Sequence, residues 1–216
     1  MTDAHPPIPR EVALPVAEAI RDNLLRQKVA VRAEVAGSLR RLKETVHDAE
    51  VVIELPTQKV VDLEGNMKWV VPAGAQGRLD RALLENEWSQ GTRGLILQKA
   101  VPPFARPAWG EKYRKLDVEL PNCSHVQVDL FICTPPANYW NLLLIRTGAA
   151  LFSEKFVTRL HRWGLRSEGG RILRADDSEV PIKSEGDLFA TNHLEWIEPE
   201  RRNAQDPLIL ELLEGL

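Results

Sequence analysis

The sequence has too few cysteines for a disulfide-built protein, since its 216 residues include only two. Cys123 and Cys133 also lack the paired spacing of metal-binding cysteines. No uncharged apolar run reaches the roughly 18 residues that a membrane span needs, and the first residues lack the basic and apolar regions of a secretory signal. These absences exclude a disulfide scaffold and a membrane span, and we expect a cytoplasmic protein in a reducing compartment.

The composition is that of a globular chain, with 44% hydrophobic and 27% charged residues, which excludes disorder and fibrous repeats. The net charge of −3 hides an uneven distribution. Segment 155–174 contains six basic residues and one acidic residue, whereas 175–216 contains three basic and eleven acidic ones. A basic segment of this kind is typical of a nucleic-acid-binding face and equally of a solvated helix. Lys112, Arg114 and Lys115 are interpreted either as a second basic track or as an exposed strand edge.

Hydrophobic periodicity predicts alternating helices and strands up to about residue 147 and mostly helices after it. The four-residue spacing of Val12, Val16 and Ile20 predicts a helix that begins after Pro9 and ends near Arg26. Strands are predicted at 29–36, 49–55, 94–99, 112–120 and 125–133, with a hairpin over 59–71. Further helices are predicted at 77–88, 137–146 and 149–163, with short elements near Ile172, Val180 and 187–189.

The most informative segment is 35–54, in which Gly37-Ser38 is followed by Arg40-Arg41 and then by Asp48-x-Glu50. Glycine lets a backbone approach an anion closely, and Ser38 adds a hydroxyl. Arg41 offers a planar fork of donors that suits a triphosphate. Gly-Ser followed by arginines is also common in ordinary turns, so this motif by itself is weak.

Three acidic residues predict a metal site. Asp48 and Glu50 lie two positions apart, so on a strand their side chains share one face. Asp129 is the only acid in the apolar strand 125–133, and a buried carboxylate needs a partner or an ion. Three such carboxylates suit two Mg²⁺ ions that clamp the attacking and leaving oxygens of an in-line displacement. The chemistry would be nucleotidyl transfer with pyrophosphate leaving, although an acid at a strand end is often only an ion-pair partner.

The run Gly37-Ser38-Leu39-Arg40-Arg41-x-Lys43, followed by Asp48-x-Glu50, resembles the polymerase beta-like nucleotidyltransferases, DNA polymerase family X. The resemblance continues in 128–148 and 184–202 and spans about residues 8–202. It implies an α/β (α+β) fold: a nucleotidyltransferase palm, with a mixed β-sheet flanked by helices, over residues 1–147. A small, mostly helical thumb with a C-terminal tail would occupy residues 148–216. We expect this palm-and-thumb form only, without the family's lyase and fingers domains.

The resemblance also implies a role for each motif residue. The catalytic residues, which would bind two Mg²⁺ ions or Mn²⁺, are Asp48, Glu50 and Asp129. The residues implied to bind the nucleotide are Gly37, Ser38, Arg41, Arg146, Thr147 and Gly148. The residues implied to contact the DNA backbone are Lys155, Arg159 and Arg162.

The activity implied is that of a DNA-directed DNA polymerase that adds a dNTP to a primer 3′-hydroxyl, for short-gap filling in DNA repair or replication. The implied partners are gapped or primer–template DNA and a dNTP, and the chain would be a monomer, bacterial or phage-encoded, without a membrane role. The tail 205–210 loosely resembles peptides that bind sliding clamps, which makes a clamp a minor candidate partner. The favoured interpretation of this tail is a final helix packed on the thumb.

Departures from the family pattern leave two alternatives open. Glu50 stands where the family usually has aspartate, which allows a catalytically inactive DNA-binding module. Ser153 and Val157 stand where polymerase beta has residues that monitor the base pair. Their presence allows a template-independent terminal nucleotidyltransferase.

Overall fold

The computed structural model describes residues 6–84, 96–99, 109–122, 124–203 and 206–214 of the chain. The helices are α1 (Arg10–Arg26), α2 (Gly37–Arg40), α3 (Ala75–Leu84), α4 (Tyr139–Thr147), α5 (Ala150–Arg159), α6 (Glu185–Thr191) and α7 (Pro207–Glu214). The strands are β1 (Ile8–Pro9), β2 (Arg32–Val35), β3 (Thr45–Val46), β4 (Ala49–Glu54), β5 (Gln58–Val61), β6 (Met67–Val70), β7 (Ile96–Lys99), β8 (Tyr113–Glu119), β9 (His125–Cys133), β10 (Arg166–Glu168) and β11 (Arg171–Leu173). Short 3-10 turns cover Leu160–Trp163 and Pro199–Arg201.

The chain forms two compact units, and each is built from two stretches of sequence. Unit 1 comprises Met1–Val35 and Lys43–Pro135, and unit 2 comprises Ala36–Leu42 and Pro136–Leu216. The sequence predicts a functional boundary between palm and thumb at residue 147. This boundary separates two roles, whereas the two compact units are defined by contacts, so it stays a prediction.

A five-stranded sheet with the order β2-β4-β9-β8-β7 forms the centre of unit 1. β4 and β9 run parallel, and the other neighbouring pairs run antiparallel. The prediction of a mixed α/β chain with a mixed sheet is therefore confirmed at this level.

Alternating burial explains why β8 and β9 are strands. Every second residue of β8 is buried, and Leu116 and Val118 face Val128 and Val126 of β9 across the ladder. β9 has the bounds that the sequence predicts. β7 pairs with residues 116–119 of β8, so the interpretation of residues 112–115 as an exposed edge stays a prediction, although Arg114 among them is buried.

Helix α1 packs its apolar stripe on β2, β4 and β9. It ends at Arg26, and Lys28, two residues further on, is left-handed with a φ of +55°. The N–H groups of Val29 and Ala30 then donate to the carbonyl of Leu24 instead of to a neighbouring strand. For this reason β2 begins at Arg32 and not at residue 29 as predicted.

The β5–β6 hairpin forms a separate two-stranded sheet at the predicted position. Four large apolar side chains of the hairpin are exposed: Val61, Leu63, Met67 and Trp69. The helix predicted at 77–88 is observed as α3, and its last four predicted positions lie outside the described residues, as does the loop that separates two of the predicted strands at 101–108.

One hydrophobic core joins the helices of unit 2, with Leu144, Phe152, Phe156, Leu188, Phe189, Ile209 and Leu213 among its members. The predicted helix after Gly148 is observed as α5 and the 3-10 turn that follows it. Gly164 ends this turn in the left-handed region at φ +66°, as the sequence predicts. α7 contributes Ile209 and Leu213 to the core, as expected of a packed final helix. In the described ranges, no helix is long and apolar enough to cross a membrane.

Candidate active site

Two of the three predicted metal ligands lie side by side in the sheet of unit 1. The parallel register of β4 and β9 places Glu50 directly beside Asp129. Residues paired in this way project to the same face of a sheet. Asp48 comes immediately before β4 and, like the other two, is partly buried. The structure therefore brings Glu50 and Asp129 together on neighbouring strands.

Asp129 is held from its other side by two residues of β8. The hydroxyl of Tyr113 donates to Oδ1 of Asp129 over 2.9 Å, and Nζ of Lys115 lies 3.7 Å from the same oxygen. Lys115 is the direct cross-strand partner of Asp129. Glu50, Asp129 and Lys115 thus form one row across β4, β9 and β8, which we call the central row.

The two carboxylates of the central row are oxygen ligands of the kind that a hard divalent ion prefers. Mg²⁺ is usually held by one or two carboxylates, with waters and substrate phosphates completing its shell. Within the described part of the chain, no group of three or more histidine, cysteine, aspartate or glutamate side chains is placed to hold a metal ion. The structure thus places Glu50 beside Asp129 on neighbouring strands, and the metal-binding roles of Asp48, Glu50 and Asp129 stay predictions.

The predicted phosphate-binding segment forms the single helical turn α2 in unit 2. Gly37 is buried at φ +62°, a conformation that favours glycine, and Ser38 is half-buried beside it. Nη1 of Arg40 donates to Oγ1 of Thr147 over 2.8 Å, and Nη1 of Arg41 donates to the carbonyl of Thr147 over 2.6 Å. Two residues implied to bind the nucleotide, Arg41 and Thr147, are therefore in contact with each other.

A buried ion network beside α2 was missed by the sequence analysis. The carboxylate of Glu185 accepts from Nη2 of Arg40 at 2.5 Å and from Nη1 of Arg202 at 2.7 Å. The guanidinium of Arg202 is fully buried, and its central carbon lies 5.0 Å from the ring centre of Phe189 and 4.7 Å from that of Trp196. Burial disfavours the charged form of Glu185, but Arg40 and Arg202 outweigh it and hold the pKa of Glu185 below its usual range.

Thr147 and Gly148 both take part in the packing of unit 2. Thr147 is fully buried, whereas Arg146 beside it is exposed. A Cβ on Gly148 would lie 2.6 Å from a ring carbon of Phe152 and 2.6 Å from Oγ of Ser153. These packing demands explain why a threonine and a glycine stand here, and the implied nucleotide contacts of all three residues stay predictions.

The predicted DNA-binding face contains residues in two different environments. Arg159 donates from Nε to the carbonyl of Asn192 over 3.3 Å and from Nη1 to the carbonyl of Leu212 over 3.2 Å. Burial lowers the pKa of Arg159, and the positive charge of Arg162 adds to this effect. Arg162 is exposed and Lys155 is half-buried. Arg159 thus braces α7 and the residue that follows α6, whereas the side chain of Arg162 is exposed.

The comparisons with known proteins do not assign a family. No protein-family model matches the chain, and no curated protein matches it. The resemblance to family X polymerases therefore depends on the motif residues alone.

Proposed function

We propose that the chain is a DNA-directed DNA polymerase of the polymerase beta type, a nucleotidyltransferase with a palm and a thumb. It would transfer a nucleotidyl group from a dNTP to a primer 3′-hydroxyl. The observation that carries the proposal is the register of β4 and β9, which pairs Glu50 with Asp129. Two carboxylates fixed on neighbouring strands are an arrangement that favours Mg²⁺-dependent phosphoryl chemistry.

The chain's own contribution is to fix the positions of two oxygen donors. Glu50 and Asp129 would hold Mg²⁺, and the bound ion would neutralise negative charge that develops during an in-line displacement. A six-residue parallel ladder, Ala49–Glu54 against Val128–Cys133, holds the strands that carry both carboxylates. They cannot separate without breaking backbone hydrogen bonds.

The DNA contacts that we propose come from two residues of the basic face in unit 2, the exposed Arg162 and the half-buried Lys155. Arg162 and Lys155 would contact phosphates of the duplex without reading its sequence. Arg159 would support this face from within, because its guanidinium bonds to the carbonyls of Asn192 and Leu212.

The experiment is primer extension on a duplex with a one-nucleotide gap, with each dNTP supplied singly and either Mg²⁺ or Mn²⁺. We expect only the complementary nucleotide to be added. Asp129→Asn and Glu50→Gln should each lower the rate at least about 100-fold, since a metal site supplies several kcal/mol of transition-state stabilisation.

The matched control is Glu54→Gln, because Glu54 lies on the same strand and the same face as Glu50, opposite Cys133. It should extend the primer at nearly the wild-type rate. Equal losses in Glu54→Gln and Glu50→Gln would show a fold defect and would remove the support for a site at the central row.

A second candidate function is template-independent terminal transfer, and the placement of Ser153 favours it. Ser153 is buried, and its Oγ donates to the carbonyl of Ile145 over 3.0 Å, so it is engaged within unit 2. Addition of every dNTP regardless of the template base would select this function over templated synthesis.

Glu50→Asp tests the inactive alternative in the same assay. If the wild-type protein does not extend the primer and Glu50→Asp does, then Glu50 is the residue that disables the site. Loss of activity on this change would instead show that the longer side chain is part of a working site.

A further inference from the structure

Lys115 is the third member of the central row, and the polymerase proposal gives it no role. Its position beside Asp129 indicates one. Its ammonium lies 3.7 Å from Oδ1 of Asp129, on the side opposite Glu50. The side chains of Lys115 and Asp129 are only 26% and 15% exposed, so water and salt screen their interaction weakly. A protein cation thus already lies against the carboxylate that the site would offer to a metal ion.

Tyr113 fixes the orientation of this contact. Its ring packs against the buried Phe131 with 5.3 Å between ring centres, which directs the hydroxyl to Oδ1 of Asp129. Both donors of β8 therefore engage the same oxygen of Asp129. Lys115 adds a full positive charge to that oxygen, whereas Tyr113 adds only a neutral hydrogen bond.

We propose that Lys115 is the resident counter-ion of Asp129 and that a divalent ion competes with it for this carboxylate. The inference rests on the proposed metal-dependent function. Lys115 would keep the adjacent carboxylates of Glu50 and Asp129 from repelling each other, and it would set the metal affinity of the central row. It is a positioning residue, since it acts through Asp129 and not on the reacting atoms.

The test measures Mn²⁺ binding to the full chain by the EPR signal of free Mn²⁺, without DNA or nucleotide. Lys115→Met removes the charge and keeps the length of the side chain. It should bind Mn²⁺ at least about tenfold more tightly than wild type, because a charge this close shifts ionic equilibria by one pK unit or more.

Two control variants distinguish the effect of the charge of Lys115 from the effect of side-chain shape. Lys115→Arg keeps the charge and Tyr113→Phe removes only the neutral donor, so both should stay within about threefold of wild type, a factor well below one pK unit. Asp129→Asn should weaken Mn²⁺ binding in the wild-type and the Lys115→Met backgrounds alike. Circular dichroism of each variant confirms that the fold is retained.

The outcomes distinguish this inference from the proposed function. Tighter binding by Lys115→Met alone supports competition. Equal or weaker binding by Lys115→Met, with a clear loss in Asp129→Asn, overturns the counter-ion role and leaves the metal site in place. Binding that does not depend on Asp129 in either background overturns both.

Discussion

At the scale of single residues, Glu185 is a buried carboxylate shared by two guanidinium groups. One carboxylate accepts from two guanidinium groups, and one of these, Arg202, is fully buried. A buried ion pair is costly to form, and it is still more costly to break from one side only. Removal of the charge of Glu185 would leave Arg40 and Arg202 close together without their shared anion.

We predict that Glu185→Gln lowers the free energy of unfolding by about 3–5 kcal/mol at pH 7, because it leaves buried positive charge uncompensated. Urea denaturation followed by circular dichroism measures the change. The control is Glu195→Gln, an exposed site in the same unit, which should change stability by less than about 0.5 kcal/mol.

The pH dependence of this difference follows from the lowered pKa of Glu185. The stability due to ionised Glu185 is present above the pKa of the unfolded state, about 4.3. It is lost as the pH falls through the lower pKa of the folded state. The gap between wild type and Glu185→Gln should therefore be constant from pH 7 to about pH 5 and should shrink below about pH 4. A gap that widens on acidification would contradict the assignment of the charge to Glu185.

At the scale of elements, Gly148 shows how closely α4 and α5 are joined. A methyl group there would meet the buried Phe152 and Ser153 at 2.6 Å, and neither is the free end of a flexible surface side chain. We predict that Gly148→Ala lowers the free energy of unfolding by about 1–3 kcal/mol through overpacking.

Gly77 provides the matched comparison. It lies within α3, and a Cβ at this position has no neighbour within 4 Å. Gly77→Ala should raise stability by about 0.5–1 kcal/mol, since alanine is the better helix former. Thermal unfolding measures the change in stability of each variant, and the two changes should have opposite signs. Equal changes in the two variants would refute the packing argument at Gly148.

The basic face gives a third prediction at this scale. Arg159→Ala should lower stability by about 1 kcal/mol through the lost hydrogen bonds to α7 and the residue that follows α6. Arg162→Ala should lower stability less than Arg159→Ala does, and it should weaken DNA binding several-fold. Urea denaturation and fluorescence anisotropy with a labelled gapped duplex separate the two effects. The reverse pattern would mean that Arg159 is the contact residue and Arg162 the brace.

The elements themselves were largely predictable, and the exceptions have local causes. β9 matched its prediction because an apolar run bounded by turn residues has few alternatives. β2 began later than predicted because Lys28 adopts a left-handed conformation. No helix was predicted at α2, since one helical turn leaves no periodic signal in the sequence.

The candidate site was predictable only in part. The spacing of Asp48 and Glu50 indicates a shared face, but no local pattern shows that β4 and β9 are neighbours. Lys115 was noted only as a basic residue, because its contact with Asp129 depends on the register of β8. Glu185 and Arg40 are 145 positions apart in the chain, and nothing in either segment points to the other.

At the scale of the whole molecule, the net charge of −3 and the basic segment predict weak, salt-dependent DNA binding. If two or three cations contact phosphates, raising the salt from 50 to 200 mM should lower the affinity about 10- to 40-fold. Anisotropy titrations at several salt concentrations give the slope directly. A flat response would show that binding does not depend on the basic face.

Unit 2 is built from two separate stretches of sequence, and this limits where the chain can be divided into fragments. Its second stretch, from Pro136, depends on a seven-residue piece from much earlier in the chain, which supplies Arg40 and Arg41. A gene fragment that begins at Pro136 would encode Glu185 and Arg202 without their third partner. Exchange of this region as a module between proteins would therefore succeed only if the short α2 segment were exchanged with it.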